Sequence, residues 1–195
     1  GLDALDLLRA AAAADRLDLD VVAFPLAQND PDAAEDAVRP GTWQGQLRVG
    51  GVKLVLDGSP QGRTAFLSRP YAVPPEGQGP GYRGYPTLLP DRVDALVARF
   101  LEARIPVIAH ANGDAAADLL LDAVARAAPA PDHRTTMIHA QTVREDQLDR
   151  MRELGVIPSY FSAHTFYWGD WHRDAVLGPE RAARISPTGS TLARG

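Results

Sequence analysis

The chain has 195 residues, 45% of them hydrophobic and 23% charged, which suffices for one globular domain with a sizeable core. Its net charge of −5, with basic residues scattered among acidic ones, leaves no footprint for nucleic acid, and the lack of cysteine excludes disulfides and thiolate metal sites. No apolar run approaches the roughly 20 residues of a membrane span, so a soluble protein without a membrane partner is expected, and a reducing cytoplasm suits it.

The opening GLDALDLLRAAAAADRL reads as an amphipathic helix, not a signal peptide. LDLDVVAFPLA (17–27) and VGGVKLVLDG (49–58) predict the first two strands. A connection rich in Pro, Gly and Tyr follows at 68–90, a length typical of lids and binding loops but equally of plain surface excursions. After Pro90, the residues Val93, Leu96, Val97, Phe100 and Leu101 make one apolar stripe and predict a helix. IPVIAHA (105–111) predicts a third strand, and Ala116, Leu119, Leu120, Ala123, Val124 and Ala127 the helix after it. RTTMIHA (134–140) predicts a fourth strand. Thr142 and Glu145 then stand at capping-box spacing before a helix through Leu148, Met151 and Leu154. GVIPSYFSA (155–163) predicts the fifth strand, and none is expected beyond it.

This alternation of strand and helix predicts an α/β fold with a parallel sheet, either doubly wound or a (βα)8 barrel. Five strands are fewer than a barrel's eight, so a partial barrel with cut ends is expected, and its open edges would make the chain associate with itself. In parallel sheets, ligand-facing groups come from the carboxyl ends of strands, where His110 and His139 both lie. Alternation puts Pro106, Ile108 and His110 on one face, and likewise Thr135, Met137 and His139, so both imidazoles can converge at a barrel top. A single strand-ending histidine is commonly just bonded to a neighbouring turn; two at matching positions point to a metal pair.

Lys53, Val55 and Asp57 share a face of a strand that should be apolar. A buried, unpaired ammonium costs several kcal/mol by desolvation, so Lys53 must be paired, neutral or modified. It can be a salt bridge to Asp57 or another acid, a Schiff-base nucleophile, or a carboxylated metal ligand. Gly113 permits a tight turn after His110, and Asp114 can cap the next helix or steady a metal ligand from behind.

The stretches VKLVLDGSPQGRTAFLSRPY, PVIAHANGDAAADLLLDAV and HRTTMIHAQTVREDQL together resemble the amidohydrolase superfamily. Within it they are most similar to amidohydrolase family 3, the group of N-substituted formamide deformylases and YtcJ-like hydrolases. The resemblance implies an internal fragment, about strands three to seven, of a metal-dependent (βα)8 barrel that hydrolyses C–N bonds of amides or cyclic amides. It further implies one or two divalent ions of the zinc type, held by Lys53, His110 and His139. The family's His-x-His of strand one and aspartate of strand eight have no counterpart in these residues. Where the family's turn resembles DGSLGSRTA, this chain has Pro60 and Gln61, which leaves Arg63 to position a small-molecule substrate. Asp57 is assigned to substrate binding. In AHTFYWGDWH, His164 is expected to bond substrate or a developing oxyanion, with Trp168 and Trp171 as pocket walls and His172 beside them. The rivals are a class I aldolase-like barrel that uses Lys53, and a truncated barrel kept as a binding module.

Overall fold

A computed structural model describes residues 2–38 and 42–195. Helix α1 (Leu2–Ala13) turns Leu5 into a small core with Ala37 and Leu47, as its apolar stripe requires. Strand β1 (Val21–Ala23) is followed by helix α2 (Pro31–Val38), which starts on a proline where the missing N–H would be unsatisfied anyway. Strand β2 (Leu47–Val49) then returns parallel to β1, and β3 (Val52–Val55) follows directly.

The run 49–58 is thus not one strand, because β2 begins before it and β3 is set off from β2. Val21 lies opposite Leu47 but Leu26 opposite Lys53, so the second run carries one extra residue, a bulge at Gly50 and Gly51. Any Cβ on Gly51 would stand 2.2 Å from the Pro106 carbonyl oxygen, so glycine alone allows this approach. Helix α2 was not apparent in the sequence either.

The remaining wall is regular: α3 (Pro90–Glu102), β4 (Val107–Ala111), α4 (Asp114–Ala127), β5 (Thr136–His139), α5 (Glu145–Leu154) and β6 (Ile157–Tyr160). Strands β3, β4, β5 and β6 lie side by side in chain order, all parallel. A doubly wound sheet reverses its order at a switch point, whereas the wall of a barrel does not, so the fold is α/β with a partial barrel wall. Helices cover one face of it. Leu54, Ala109 and Met137, level with one another, are fully buried there with Val97, Phe100 and Leu120. Lys53, Ile108 and Thr136 on the opposite face are partly exposed.

The start of α5 lies later than the Thr142–Glu145 spacing suggested. The Arg144 N–H donates to Gln147 Oε1 at 3.0 Å, while the Thr142 hydroxyl donates to the Asn112 carbonyl at 2.8 Å. A tertiary acceptor has drawn Thr142 away from the helix end. After β6 come α6 (Ala163–Trp171), a π-helical turn (His172–Val176), α7 (Pro179–Ala182) and α8 (Thr188–Leu192).

The long connection is not a loose excursion. Tyr71 is buried against Ala65, Leu67, Val176 and Leu177, and the Ala72 and Val73 N–H groups donate to the π-helical turn at 2.9 Å each. No helix among the described residues is long and apolar enough to cross a membrane.

Candidate metal centre

His110 lies one residue before the end of β4, on the face away from the helices, level with Val55 and Ile138. Its Nε2 lies 2.9 Å from the Gly58 carbonyl oxygen. The same Nε2 also lies 2.9 Å from Asn112 Nδ2, so the carbonyl calls for a proton on Nε2 and the amide nitrogen for a lone pair there. With the proton on Nε2, Nδ1 is the free lone pair, the arrangement metal-binding imidazoles commonly show, with the second nitrogen donating to a carbonyl.

His139 reaches the same place by another route. Its register partner is Ala111, fully buried, and simple alternation would turn its side chain toward the helices with Met137. Met137 does point there, so the expected shared face of Met137 and His139 does not bring the two imidazoles together. The backbone instead turns left-handed at His139 (φ 74°) and Ala140 (φ 45°), and the two rings meet edge to face with centroids 4.6 Å apart. Such a conformation in non-glycine residues costs about 1–3 kcal/mol each and gathers at functional sites.

Among the described residues the Lys53 side chain has no hydrogen bond or ion pair, so the reading as a salt bridge to Asp57 is not realised. Burial lowers its pKa, and its charge in turn lowers the pKa of both imidazoles. His139 is brought to about 4 by burial first, then by His110, Lys53 and His164. His110 is lowered chiefly by burial. Both rings are therefore neutral near pH 7 and have lone pairs to offer. Two neutral imidazoles fit a divalent ion. An ammonium beside them does not, so Lys53 fits only as the free amine or as an acidic derivative. Among the described residues no three His, Cys, Asp or Glu side chains gather to hold an ion.

Asp57, expected to touch substrate, is put to another use. It is 1% exposed, and its oxygens accept the N–H groups of Asn112 (3.0 Å), Gly113 (2.8 Å) and Phe66 (2.9 Å). Burial pushes its carboxyl up to about 7 against the pull of those three donors. One side chain thus ties the ends of β3 and β4 to the following loop, and His110 Nε2 stands 3.6 Å from it. Gly113 is extended (φ −77°), so a tight turn is not its purpose: a Cβ there would lie 1.9 Å from the Phe66 carbonyl oxygen.

Asp114 is the first residue of α4, not its cap. Its carboxylate accepts the Ser68 N–H (2.8 Å), the Ser68 hydroxyl and Arg144 Nη1 (3.2 Å), fastening the long connection to two helices. Among the described residues no hydrogen bond or ion pair joins it to His110 or His139. A cavity of about 230 Å³ lies beside Asp114, Arg144, Leu177 and Arg181, and neither histidine nor Lys53 lines it.

Arg63 stacks on Trp171 (4.9 Å) and donates to the Pro74 carbonyl (3.2 Å). Trp171 Nε1 donates to the Gln61 carbonyl at 3.2 Å, and Trp168 stays 43% exposed. His164 does approach the pair, near enough to lower the pKa of His139, and its Nδ1 lies 3.2 Å from Gln141 Oε1. Two amides escaped sequence reasoning. Asn112 Nδ2 donates to the Gly58 carbonyl at 2.8 Å, and Gln141, 1% exposed, links His164 to His172. A signal existed: each stands two residues after its histidine, in His-Ala-Asn and His-Ala-Gln.

Two imidazoles thus meet near the carboxyl ends of neighbouring parallel strands, beside a lysine with no ion pair among the described residues, in an α/β fold with a partial barrel wall. Residues 1–195 match the model of the amidohydrolase family, and the chain belongs to that family. It is 29% identical over 125 residues to YtcJ of Bacillus subtilis (strain 168), an amidohydrolase by name, covering 63% of this chain and 23% of that protein. It is 28% identical over 152 residues to the Arabidopsis thaliana protein LONG AFTER FAR-RED 3, covering 76% of this chain and 25% of that one. Among solved structures, a metal-dependent hydrolase of Pyrococcus furiosus matches with a TM-score of 0.77 at 31% identity, over 97% of this chain and 38% of that one. One from Pyrococcus horikoshii OT3 matches with 0.77 at 28%, over 97% and 37%. The chain thus spans about a quarter of these curated relatives, 23% and 25% of their lengths.

Proposed function

We propose that this chain forms part of the active centre of a metal-dependent hydrolase that cleaves C–N bonds in non-peptide amides or cyclic amides. The reading rests on the meeting of the His110 and His139 rings, centroids 4.6 Å apart, beside Lys53, which has no counter-ion among the described residues. The names of the relatives support it: YtcJ is called an amidohydrolase, and the Pyrococcus proteins metal-dependent hydrolases. Nδ1 of His110 and a ring nitrogen of His139 would hold one or two ions of the zinc type. Lys53 would join them as a carbamate: its amine adds CO2 and releases a proton, which turns a repulsive cation into an anionic oxygen donor. When bound, such an ion polarises a carbonyl and acidifies water. His164 would accept a hydrogen bond or proton beside the pair, Arg63 would face the polar end of the substrate, and Trp168 and Trp171 would offer it aromatic walls.

Zinc affinity and amide turnover test this. His110→Ala and His139→Ala should each weaken zinc binding by about tenfold or more, since even the loss of a ligand's supporting group does that much. Unchanged binding and turnover in both variants would end the reading. The lowered pKa of Lys53 also suits a Schiff base, and borohydride with a carbonyl substrate would trap an adduct on Lys53 only in that case. We further propose a cytoplasmic protein that acts on small molecules, without nucleic-acid or membrane partners. It would self-associate through the open edge of β6, and a strictly monomeric species in sedimentation counts against that.

A further inference from the structure

We infer that Gln141 and His172 are a positioning pair that fixes the tautomer of His164, so that Nδ1 carries the proton and Nε2 is left as an acceptor. The inference rests on the reading of His164 as a group of the active centre. Gln141 leaves the end of β5 two residues after His139 and is 1% exposed. Its side chain has two partners: Oε1 lies 3.2 Å from His164 Nδ1, and Nε2 lies 3.5 Å from His172 Nε2.

An amide oxygen only accepts and an amide nitrogen only donates. Oxygen toward His164 therefore requires a proton on Nδ1 of that ring, which leaves its Nε2 bare. Nitrogen toward His172 requires a bare Nε2 there, so His172 also carries its proton on Nδ1. Turning the amide over would reverse both rings together, so one side chain ties the two tautomers to each other.

His172 is a stiff reference for this chain of bonds. It is fully buried, at 0% exposed, and its Nδ1 has no partner among the described residues. Burial, with His164 nearby, lowers its pKa to about 4 and keeps it neutral at pH 7. It opens the π-helical turn at His172–Val176, a widened turn of the kind found at functional sites, and this turn also takes two hydrogen bonds from the long connection. The Phe161 ring packs against that of His164, with centroids 4.3 Å apart. A free imidazole exchanges between its two neutral forms; here the acceptor position would be set before any substrate arrives, as preorganised sites require.

Ring ¹⁵N shifts of the histidine-labelled chain, read by long-range ¹H–¹⁵N correlation at neutral pH without added metal, test this on all five imidazoles. His164 and His172 should both show pyrrole-type Nδ1 and pyridine-type Nε2. His133 should show the reverse, because its Nε2 donates to the Leu154 carbonyl (2.8 Å) and its Nδ1 accepts the Thr135 N–H (3.2 Å), so it marks an intact fold. In Gln141→Leu the His164 and His172 shifts should move toward averaged values while His133 stays. In His172→Phe, which keeps the ring's bulk, His164 should move in the same direction. An Nε2–H form of His164 in the parent chain overturns the inference, as does a His164 that stays put in both variants beside an unchanged His133. Zinc added afterwards reports on the metal separately: shifts at His110 and His139 belong to that reading, and their absence would defeat it while the tautomer result stands.

Discussion

Replacing His139 by alanine and by glycine separates the ring from the backbone that carries it. At an ordinary strand position glycine is the less stable of the two by roughly 0.5–1 kcal/mol, because it loses more freedom on folding. At His139 the backbone has φ 74°, and Ala140 follows at 45°. There the Cβ of alanine crowds the following carbonyl at roughly 1–2 kcal/mol, a penalty glycine does not bear. The balance puts His139→Gly above His139→Ala by about 0.5–1 kcal/mol, the reverse of the usual order. With a urea slope near 2 kcal/mol per molar, the glycine midpoint should lie about 0.3–0.5 M higher. Both variants lose the ring, so lost contacts with His110 cancel in the comparison. A glycine variant that unfolds at lower urea than the alanine variant would mean that His139 sits on an ordinary extended strand. The meeting of the two imidazoles would then have lost its cause.

Acid should weaken the fold in a defined window. His172 is held at about 4 against 6.5 in the unfolded chain, so above 6.5 neither state binds the proton and below it the unfolded state alone does. Stability falls by up to about 3 kcal/mol as pH drops from 6.5 to 4, and His172→Phe should remove that share; urea midpoints that decline equally in both proteins refute it. Asp57→Ala strands three backbone N–H groups that now share one carboxylate and should cost about 3–5 kcal/mol by urea unfolding. A loss below 1 kcal/mol would show that those donors find other partners. Gly113→Ala sets a methyl against the Phe66 carbonyl oxygen and should lower stability by about 2 kcal/mol or more, with weaker zinc binding because the loop behind His110 shifts; an unaffected thermal midpoint refutes it.

The helices were legible where one physical rule acted alone. Pro90 fixes the start of α3, and Val93, Leu96, Val97, Phe100 and Leu101, all buried, are the stripe its spacing requires. The same holds for β4, whose alternation sends Val107 and Ala109 to the helices and His110 to the open face. Legibility failed where tertiary contacts overrode the local rule. Thr142 looked like a cap, yet the Asn112 carbonyl takes its hydroxyl. Asp57 shares its parity with Lys53, but β3 ends at Val55, and beyond that point backbone donors from the next loop decide where the carboxylate goes. His139 is the sharpest case. Alternation assigns it the side of Met137, and the ring reaches His110 only because two residues adopt a left-handed backbone that composition and periodicity do not mark. That departure has a logic: a strand can deliver one side chain to a shared point by parity alone, but two neighbouring strands in this register deliver His110 and His139 to opposite faces. One backbone must twist for the rings to meet. The strain at His139 is therefore what the register demands of any site built from these two residues.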